Sequence, residues 1–220
     1  MIRTKAYSVA FKILISFFAF TGIVLQTGLY KAEFDFSSFR MFTNISNLIC
    51  GVYFILAAAF IAADKSRDGG ASPFPFLKGF CTMSILLTGI VATAIIADEF
   101  DPHTGPGIAT VILHIITPIL ITADWLIFDK KGRFRKTYPF IWIFSPLLYL
   151  IYILISAPFM STGDPLRFPY PFIDYESLGI PLFLLSILIV SVLYIFIGYL
   201  CFMVDSKMGK LEKTSDIPLS

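Results

Sequence analysis

The chain contains six long stretches without a single Asp, Glu, Lys or Arg, and this pattern restricts the fold more than any other feature. The stretches are residues 13–30, 41–63, 79–97, 104–123, 137–163 and 177–204. A helix rises about 1.5 Å per residue, so about 20 apolar residues cross the roughly 30 Å hydrocarbon layer of a membrane. The pattern therefore predicts an integral membrane protein with six spans.

Helices account for these stretches better than strands. Backbone groups inside a bilayer must be paired within the protein, which leaves helical bundles and closed barrels. Barrel strands alternate in polarity over about 10 residues, whereas residues 85–96 and 182–193 are apolar on all sides. We expect an all-α fold, a six-transmembrane-helix bundle in residues 1–205 followed by a flexible cytoplasmic tail in residues 206–220. The predicted spans are about 9–30, 41–63, 77–97, 107–128, 138–158 and 178–204.

The basic residues predict the orientation of the bundle, because Lys and Arg in short loops remain in the cytoplasm. With the N-terminus inside, 14 of the 17 Lys and Arg residues fall on the cytoplasmic side. Only Lys31, Arg40 and Arg167 remain on the opposite side. Both termini are thus predicted to be cytoplasmic.

Other features narrow the function classes. The charged run 129–136 is expected to meet anionic lipid headgroups rather than nucleic acid. Cys50, Cys81 and Cys201 have no metal-ligand spacing and are expected to be small core residues. The chain has no nucleophile elbow, zinc-protease motif or phosphate-binding glycine loop. We expect membrane lipids as partners, no metal and no organic cofactor.

The second span opens with a polar cluster. Thr43, Asn47 and Cys50 share one face of a helix, and Asn44 is adjacent in sequence. One interpretation is structural: Thr43 or Asn44 caps the helix and the others bond neighbouring helices. The other is a site in the outer half of the bundle.

The fourth span contains one histidine, His114, while His103 falls in the outer loop. His114 is predicted about 10 Å below the start of the span, at the depth of Thr43. It could be a core residue bonded to a carbonyl or hydroxyl. Pro118 would kink the helix one turn later and open space near the imidazole.

Thr43 and His114 suit nucleophilic catalysis. A threonine hydroxyl needs a base to take its proton, and a neutral imidazole does this near neutral pH. The tetrahedral oxyanion formed from an ester needs donors, for which the amides of Asn44 and Asn47 and the first-turn N–H groups are candidates.

Four further residues are considered for supporting roles. Tyr149 and Tyr152 in the fifth span are candidates to bind the substrate or the oxyanion, although buried tyrosines find hydrogen-bond partners in any case. Asp98 and Asp101 lie on the same predicted side as His114 and are candidates to orient it.

An ordered set of segments carries a family resemblance across nearly all spans. The segments are Phe-Thr-Asn-Ile-Ser-Asn-Leu at 42–48, Leu-His-Ile-Ile-Thr-Pro at 113–118, Ala-Asp-Trp-Leu-Ile-Phe-Asp at 123–129, Pro-Leu-Leu-Tyr-Leu-Ile-Tyr at 146–152 and Pro-Tyr-Pro-Phe-Ile-Asp at 169–174. This set resembles a bacterial family of six-span integral membrane proteins. That family is more distantly similar to the animal androgen-induced and androgen-dependent TFPI-regulating proteins, membrane threonine hydrolases of fatty acid esters of hydroxy fatty acids.

The resemblance implies a location in the bacterial cytoplasmic (inner) membrane and hydrolysis of a hydrophobic ester. It places the threonine nucleophile at Thr43 and the histidine at His114, the pair that predicted depth also selects. The residues around both differ from the animal pattern, and the Asp-Trp pair at 124 and 125 belongs to the bacterial branch.

Two features of the bacterial branch have structural interpretations. Asp124 is expected to pair with a basic residue at the inner interface, and Trp125 to join an aromatic belt. The stiff outer segment 168–174 could cover the cavity or lie among headgroups.

The sequence leaves three functions open. The leading hypothesis is a lipid-ester hydrolase with Thr43 as nucleophile and His114 as base. The alternatives are a small-solute transporter or channel, or a lipid- or ligand-binding sensor, with His114 as the proton or ligand site. The lack of several predicted buried acids along one pathway makes proton-coupled transport less attractive.

Overall fold

A computed structural model describes residues 4–32, 34–95 and 105–215, with no strand among them. Six helical segments of this part of the chain are long and apolar enough to cross a membrane, which confirms the all-α, six-span prediction. They are Lys5–Gln26, Phe42–Ala63, Pro75–Ala92, Gly107–Ile127, Tyr138–Phe159 and Tyr175–Thr214.

Some of these spans are built from more than one helix. The α-helices are α1 (Lys5–Gln26), α2 (Phe42–Ala63), α3 (Pro75–Ile95), α4 (Gly105–Val111), α5 (Thr117–Ile127), α6 (Tyr138–Trp142), α7 (Phe144–Ser156) and α8 (Tyr175–Ser215). A π-helical turn, Ile112–Ile116, joins α4 to α5. In α8, Gly179 has a φ of 73°, a conformation that glycine adopts readily, and the helix is kinked there.

The helices pack around α3. Helix α1 lies along α2 and also contacts α4 and α5, while α3 contacts α2, α5, α6, α7 and α8. Trp142 and Tyr194 are among the largest fully buried side chains. Leu182, Leu188 and Phe196 of α8 are more than half exposed, an apolar surface suited to contact with lipid chains.

Four charged side chains are buried together at the end of the bundle away from Thr43. Lys12 Nζ lies 2.9 Å from Asp124 Oδ1, and Lys78 Nζ contacts the other oxygen of the same carboxylate. Asp129 lies 3.3 Å from Lys78 and 3.9 Å from Lys12. Two cations and two carboxylates thus compensate one another, and the expected pairing of Asp124 with a basic residue is confirmed.

The structure corrects two expectations. Trp125 does not belong to an aromatic belt, because it is 4% exposed and stacks on Phe134 with ring centroids 5.7 Å apart. Residues 206–215 do not form a flexible tail but continue α8. The Asp205 carboxylate accepts a hydrogen bond from the Phe134 N–H, and Gly209 lies against Gly132, so the loop before α6 holds this end of the helix. The three cysteines are buried, as predicted.

Candidate functional site

Thr43 and His114 line the same cavity. The cavity is partly enclosed, has a mostly apolar wall and has a volume of about 50 Å³. Its lining comes from α2, α3, the π-helical turn, α7, the segment 168–174 and α8. Thr43 and His114 are 4% and 9% exposed, so both are shielded from bulk solvent. The fold therefore places Thr43 and His114, which were predicted at the same depth, in the wall of one cavity.

Thr43 lies in the first turn of α2, where backbone N–H groups have no partner within the helix. Met41, the residue before the helix, supplies no side-chain cap. Tyr170 is buried and lines the cavity beside Phe42 and Thr43. Burial raises the pKa of Tyr170, and the neighbouring Thr43 and Phe42 oppose the rise. Tyr170 is thus a polar neighbour of the candidate nucleophile.

His114 occupies the middle of the π-helical turn. The Thr117 N–H bonds to the carbonyl of Ile112, five residues earlier, and the Thr117 hydroxyl bonds to the same carbonyl at 2.9 Å. Pro118 has no N–H to offer the His114 carbonyl, so the normal helical ladder is broken at this point. Such turns are frequent at functional sites. The sequence-based expectation of a local break beside His114 agrees with this geometry.

The His114 ring is oriented by the backbone of α3. Nδ1 lies 3.5 Å from the carbonyl oxygen of Thr88, and this oxygen can only accept a hydrogen bond. A neutral imidazole that donates to this carbonyl through Nδ1 has its basic lone pair on Nε2. Asp98 and Asp101, the candidates for orienting His114, lie outside the described residues.

The segment 168–174 forms part of the cavity wall. Tyr170, Phe172 and Ile173 line the cavity wall, and the rings of Tyr170 and Phe172 are stacked 5.4 Å apart. The Ser186 hydroxyl of α8 donates a hydrogen bond to the Phe172 carbonyl. Two prolines, at 169 and 171, stiffen the chain on either side of Tyr170.

Arg40 fastens the preceding part of this loop to the start of α2. Its guanidinium donates to the carbonyls of Leu166 at 2.6 Å and Arg167 at 3.0 Å, and to the Ser156 hydroxyl at 2.7 Å. Arg40 is only three residues from Thr43. The clamp therefore holds Tyr170 over the first turn of α2.

The two asparagines lie outside this cavity lining. The Asn44 amide donates to the Ser38 carbonyl at 2.8 Å, and the Asn47 amide donates to the carbonyls of Thr43 at 2.9 Å and Leu113 at 3.3 Å. Their donors are thus used to hold the start of α2 and to join α2 to the π-helical turn. This geometry offers an oxyanion in the cavity no donor from Asn44 or Asn47.

The two tyrosines of the fifth span, Tyr149 and Tyr152, differ in their position relative to the cavity. The Tyr149 ring lines the cavity, but its hydroxyl donates to the Arg40 carbonyl at 2.8 Å. Tyr152 is 41% exposed and faces a neighbouring apolar groove. Tyr149 can shape the cavity, whereas neither hydroxyl is directed at Thr43.

Sequence reasoning missed Tyr170, Thr88 and Arg40. A sequence feature that could have identified Tyr170 is its position between two prolines in a segment of the family resemblance. Arg40 could have been identified as one of the few basic residues on the predicted outer side. Thr88 had no such feature, because it acts through its backbone. In the part of the chain described, no three His, Cys, Asp or Glu side chains form a group that could hold a metal ion.

Comparison with known proteins found no matching family model, curated protein or solved structure.

Proposed function

We propose that this protein is an intramembrane lipid-ester hydrolase that uses Thr43 as nucleophile and His114 as base. The observation that carries the proposal is the shared cavity, which gathers a threonine hydroxyl and an imidazole within an apolar wall. An apolar wall that carries a few polar groups suits a hydrophobic ester.

The first half of the reaction transfers the acyl group to the protein. His114 Nε2 removes the Thr43 hydroxyl proton as the oxygen attacks the ester carbonyl carbon. The tetrahedral intermediate collapses, the bond to the alcohol oxygen breaks, and His114 returns the proton to that oxygen. The products are a free alcohol and an acyl ester on Thr43.

The second half consumes one water molecule. Water enters where the alcohol left, His114 takes a proton from it, and the resulting hydroxide attacks the acyl-threonine carbonyl. Collapse of the second intermediate breaks the bond to Thr43, which regains its proton through His114. The fatty acid leaves and both residues return to their starting states.

The oxyanion donors proposed here are the N–H groups of Phe42 and Thr43 together with the Tyr170 hydroxyl. The two N–H groups lie at the positive end of α2, and Tyr170 lines the cavity beside them. A carbonyl oxygen that lay beside these groups would receive charge-assisted hydrogen bonds. This assignment replaces the amides of Asn44 and Asn47.

The proposed setting is the bacterial cytoplasmic membrane, with both termini inside and the cavity opening toward the outer leaflet. The distribution of basic residues supports this orientation, because the end of the bundle opposite the cavity carries most of them.

Covalent labelling tests the proposal. The detergent-purified protein is treated with a fluorophosphonate carrying an alkyl chain, and the adduct is located by intact mass and peptide mapping. We expect one adduct on Thr43 that disappears in Thr43→Ala and in His114→Gln. Ser191→Ala is the matched control, because it removes another hydroxyl from the wall of the same cavity. A folded parent protein without an adduct, or an adduct retained in Thr43→Ala, contradicts the mechanism.

Proton-coupled transport is the second candidate. The sequence predicted no group of buried acids, which such transport commonly uses, but the structure contains buried aspartates. Asp124 and Asp129 are 0% and 4% exposed. Both are paired with Lys12 and Lys78, which favours a structural role over a titrating one. Proton flux into proteoliposomes that is lost in His114→Gln, the proton site of this alternative, together with absent labelling, would favour transport.

A further inference from the structure

A basic pocket lies at the end of the bundle opposite the Thr43 cavity. It is formed where the loop between α2 and α3 meets the loop after α5, and its volume is about 510 Å³. Its lining consists of Phe60, Arg67, Ala71, Ser72, Pro73, Phe74, Lys130 and Arg133. We propose that this pocket binds the phosphate-bearing headgroup of an anionic phospholipid.

The charge of the pocket suits a phosphate. Arg67 pairs with Asp64 at 3.4 Å and Lys130 with Asp68 at 2.8 Å, and all four side chains are partly exposed. Arg133 has no carboxylate ion-pair partner in the part of the chain described, and its Nη1 donates to the Ser72 carbonyl. Three cations against two rim carboxylates leave a positive balance. Exposed ion pairs are weak, so a phosphate can compete for their cations.

The depth of the pocket suits a lipid. Phe60 lies in the last turn of α2 and Phe74 directly precedes α3, so both rings stand where the spans end. Phe74 is 67% exposed, and the Arg67 guanidinium lies over the Phe60 ring at 3.6 Å. Aromatic rings beside basic groups at this level are typical of the boundary between headgroups and acyl chains.

The pocket wall is held in shape by buried hydrogen bonds. The Tyr53 hydroxyl donates to the Pro73 carbonyl at 2.8 Å, and the Ser8 hydroxyl donates to the Gly69 carbonyl at 2.6 Å. The Ser72 hydroxyl bonds to Asp129, which belongs to the buried charge cluster. A loop anchored in this way does not need to be ordered when a ligand binds, which lowers the entropic cost of binding.

The backbone of Phe74 supports the same conclusion. Its φ is 47°, in the left-handed region that residues other than glycine rarely adopt. Such strain persists where the surrounding structure enforces it and is common at binding sites. Here it presents the aromatic ring at the pocket mouth. The pocket shares no lining residue with the Thr43 cavity, so the inference is independent of the proposed hydrolase.

Native mass spectrometry of lipid adducts tests the proposal. The full-length protein in detergent is titrated with dioleoyl-phosphatidylglycerol and with dioleoyl-phosphatidylcholine, which share acyl chains but differ in net charge. The test variant is Arg67→Gln with Lys130→Gln. The matched control is Arg135→Gln with Lys136→Gln, which removes the same charge from two exposed residues outside the pocket. We expect the apparent Kd for phosphatidylglycerol to rise about tenfold in the test variant and to change less than twofold in the control.

Three results would overturn the proposal: equal retention of phosphatidylcholine by the parent, equal losses in test and control variants, or no loss in the test variant. A separate arm measures thermal stabilisation by inorganic phosphate alone. Stabilisation equal to that from phosphatidylglycerol would assign the pocket to free phosphate and reject the lipid. If the double variant is not monodisperse, Lys130→Gln alone is used, because Lys130 is exposed, and a several-fold weakening is expected.

Discussion

His114 Nδ1 lies 3.5 Å from the Thr88 carbonyl oxygen, so the backbone of α3 orients the imidazole of the fourth span. A neutral ring that donates to this carbonyl through Nδ1 has its basic lone pair on Nε2. Nε2 is the nitrogen to which the proposed mechanism assigns the Thr43 proton.

Thr43 and His114 are expected to act as one unit. Thr43→Ala and His114→Gln should each reduce ester turnover by about a thousandfold or more. The double variant should be about as active as the less active of the two single variants. Turnover of a short fluorogenic ester in detergent measures all three. Additive losses in the double variant would show that the two residues serve separate steps, and Ser191→Ala should retain parent activity.

Removal of the Tyr170 hydroxyl is expected to slow turnover without unfolding the protein. Tyr170→Phe keeps the ring that stacks on Phe172 but loses the hydroxyl that is proposed to serve the oxyanion beside Thr43. A loss of about a hundredfold in kcat with little change in KM is expected if this hydroxyl stabilises the oxyanion. Tyr152→Phe is the control, since Tyr152 lies outside the cavity. A rise in KM alone would instead indicate a role in binding.

Asp124→Asn should destabilise the bundle strongly. It removes a carboxylate that contacts both Lys12 and Lys78, which are buried and would then face each other with Asp129 as their remaining partner. Loss of one partner from a buried charge pair costs about 3–5 kcal/mol. Thermal unfolding in detergent measures the change. Asp64→Asn, at an exposed site, should lie within about 0.5 kcal/mol of the parent, and equal effects in both variants would refute a special role for the cluster.

Lys131 is expected to make stability depend on pH above neutrality. Burial lowers the pKa of Lys131 from 10.5 to about 8 in the folded protein. Between these values the unfolded chain binds the proton that the folded protein has released, so stability rises with pH across this window. The charged groups that influence Lys131 are Asp129, Asp205, Lys78 and Glu212.

The difference between parent and Lys131→Met isolates this contribution. Unfolding temperatures are measured from pH 7.5 to pH 10.5, a range chosen from the two pKa values. The parent should gain stability with rising pH relative to the variant. Lys130→Gln serves as the charge-matched control, because it removes the neighbouring, exposed lysine and leaves Lys131 in place. Parallel profiles for the parent and Lys131→Met would contradict the lowered pKa.

Local sequence was a good guide to some residues and a poor one to others. The depth of Thr43 and His114 could be read from their positions along two spans, because a helix advances by a constant rise. The hydrogen-bond partners of Asn44 and Asn47 could not be read from the sequence, because a side-chain amide at membrane depth bonds whichever carbonyl the packing brings within reach. Trp125 was misplaced for a related reason: its position near a span end is typical of a belt, but packing against Phe134 turns it inward.

The sequence by itself determined the number of spans, their helical nature and the segregation of basic residues. These properties follow from the cost of placing charges and unpaired backbone groups in hydrocarbon, which each segment meets on its own. Only the tertiary structure decided that Tyr170 and Thr43 line one cavity, that the Thr88 carbonyl lies beside His114 and that Asp124 joins two lysines. Each of these relationships joins residues 26 to 127 positions apart, so they depend on how the helices and loops pack rather than on any local pattern.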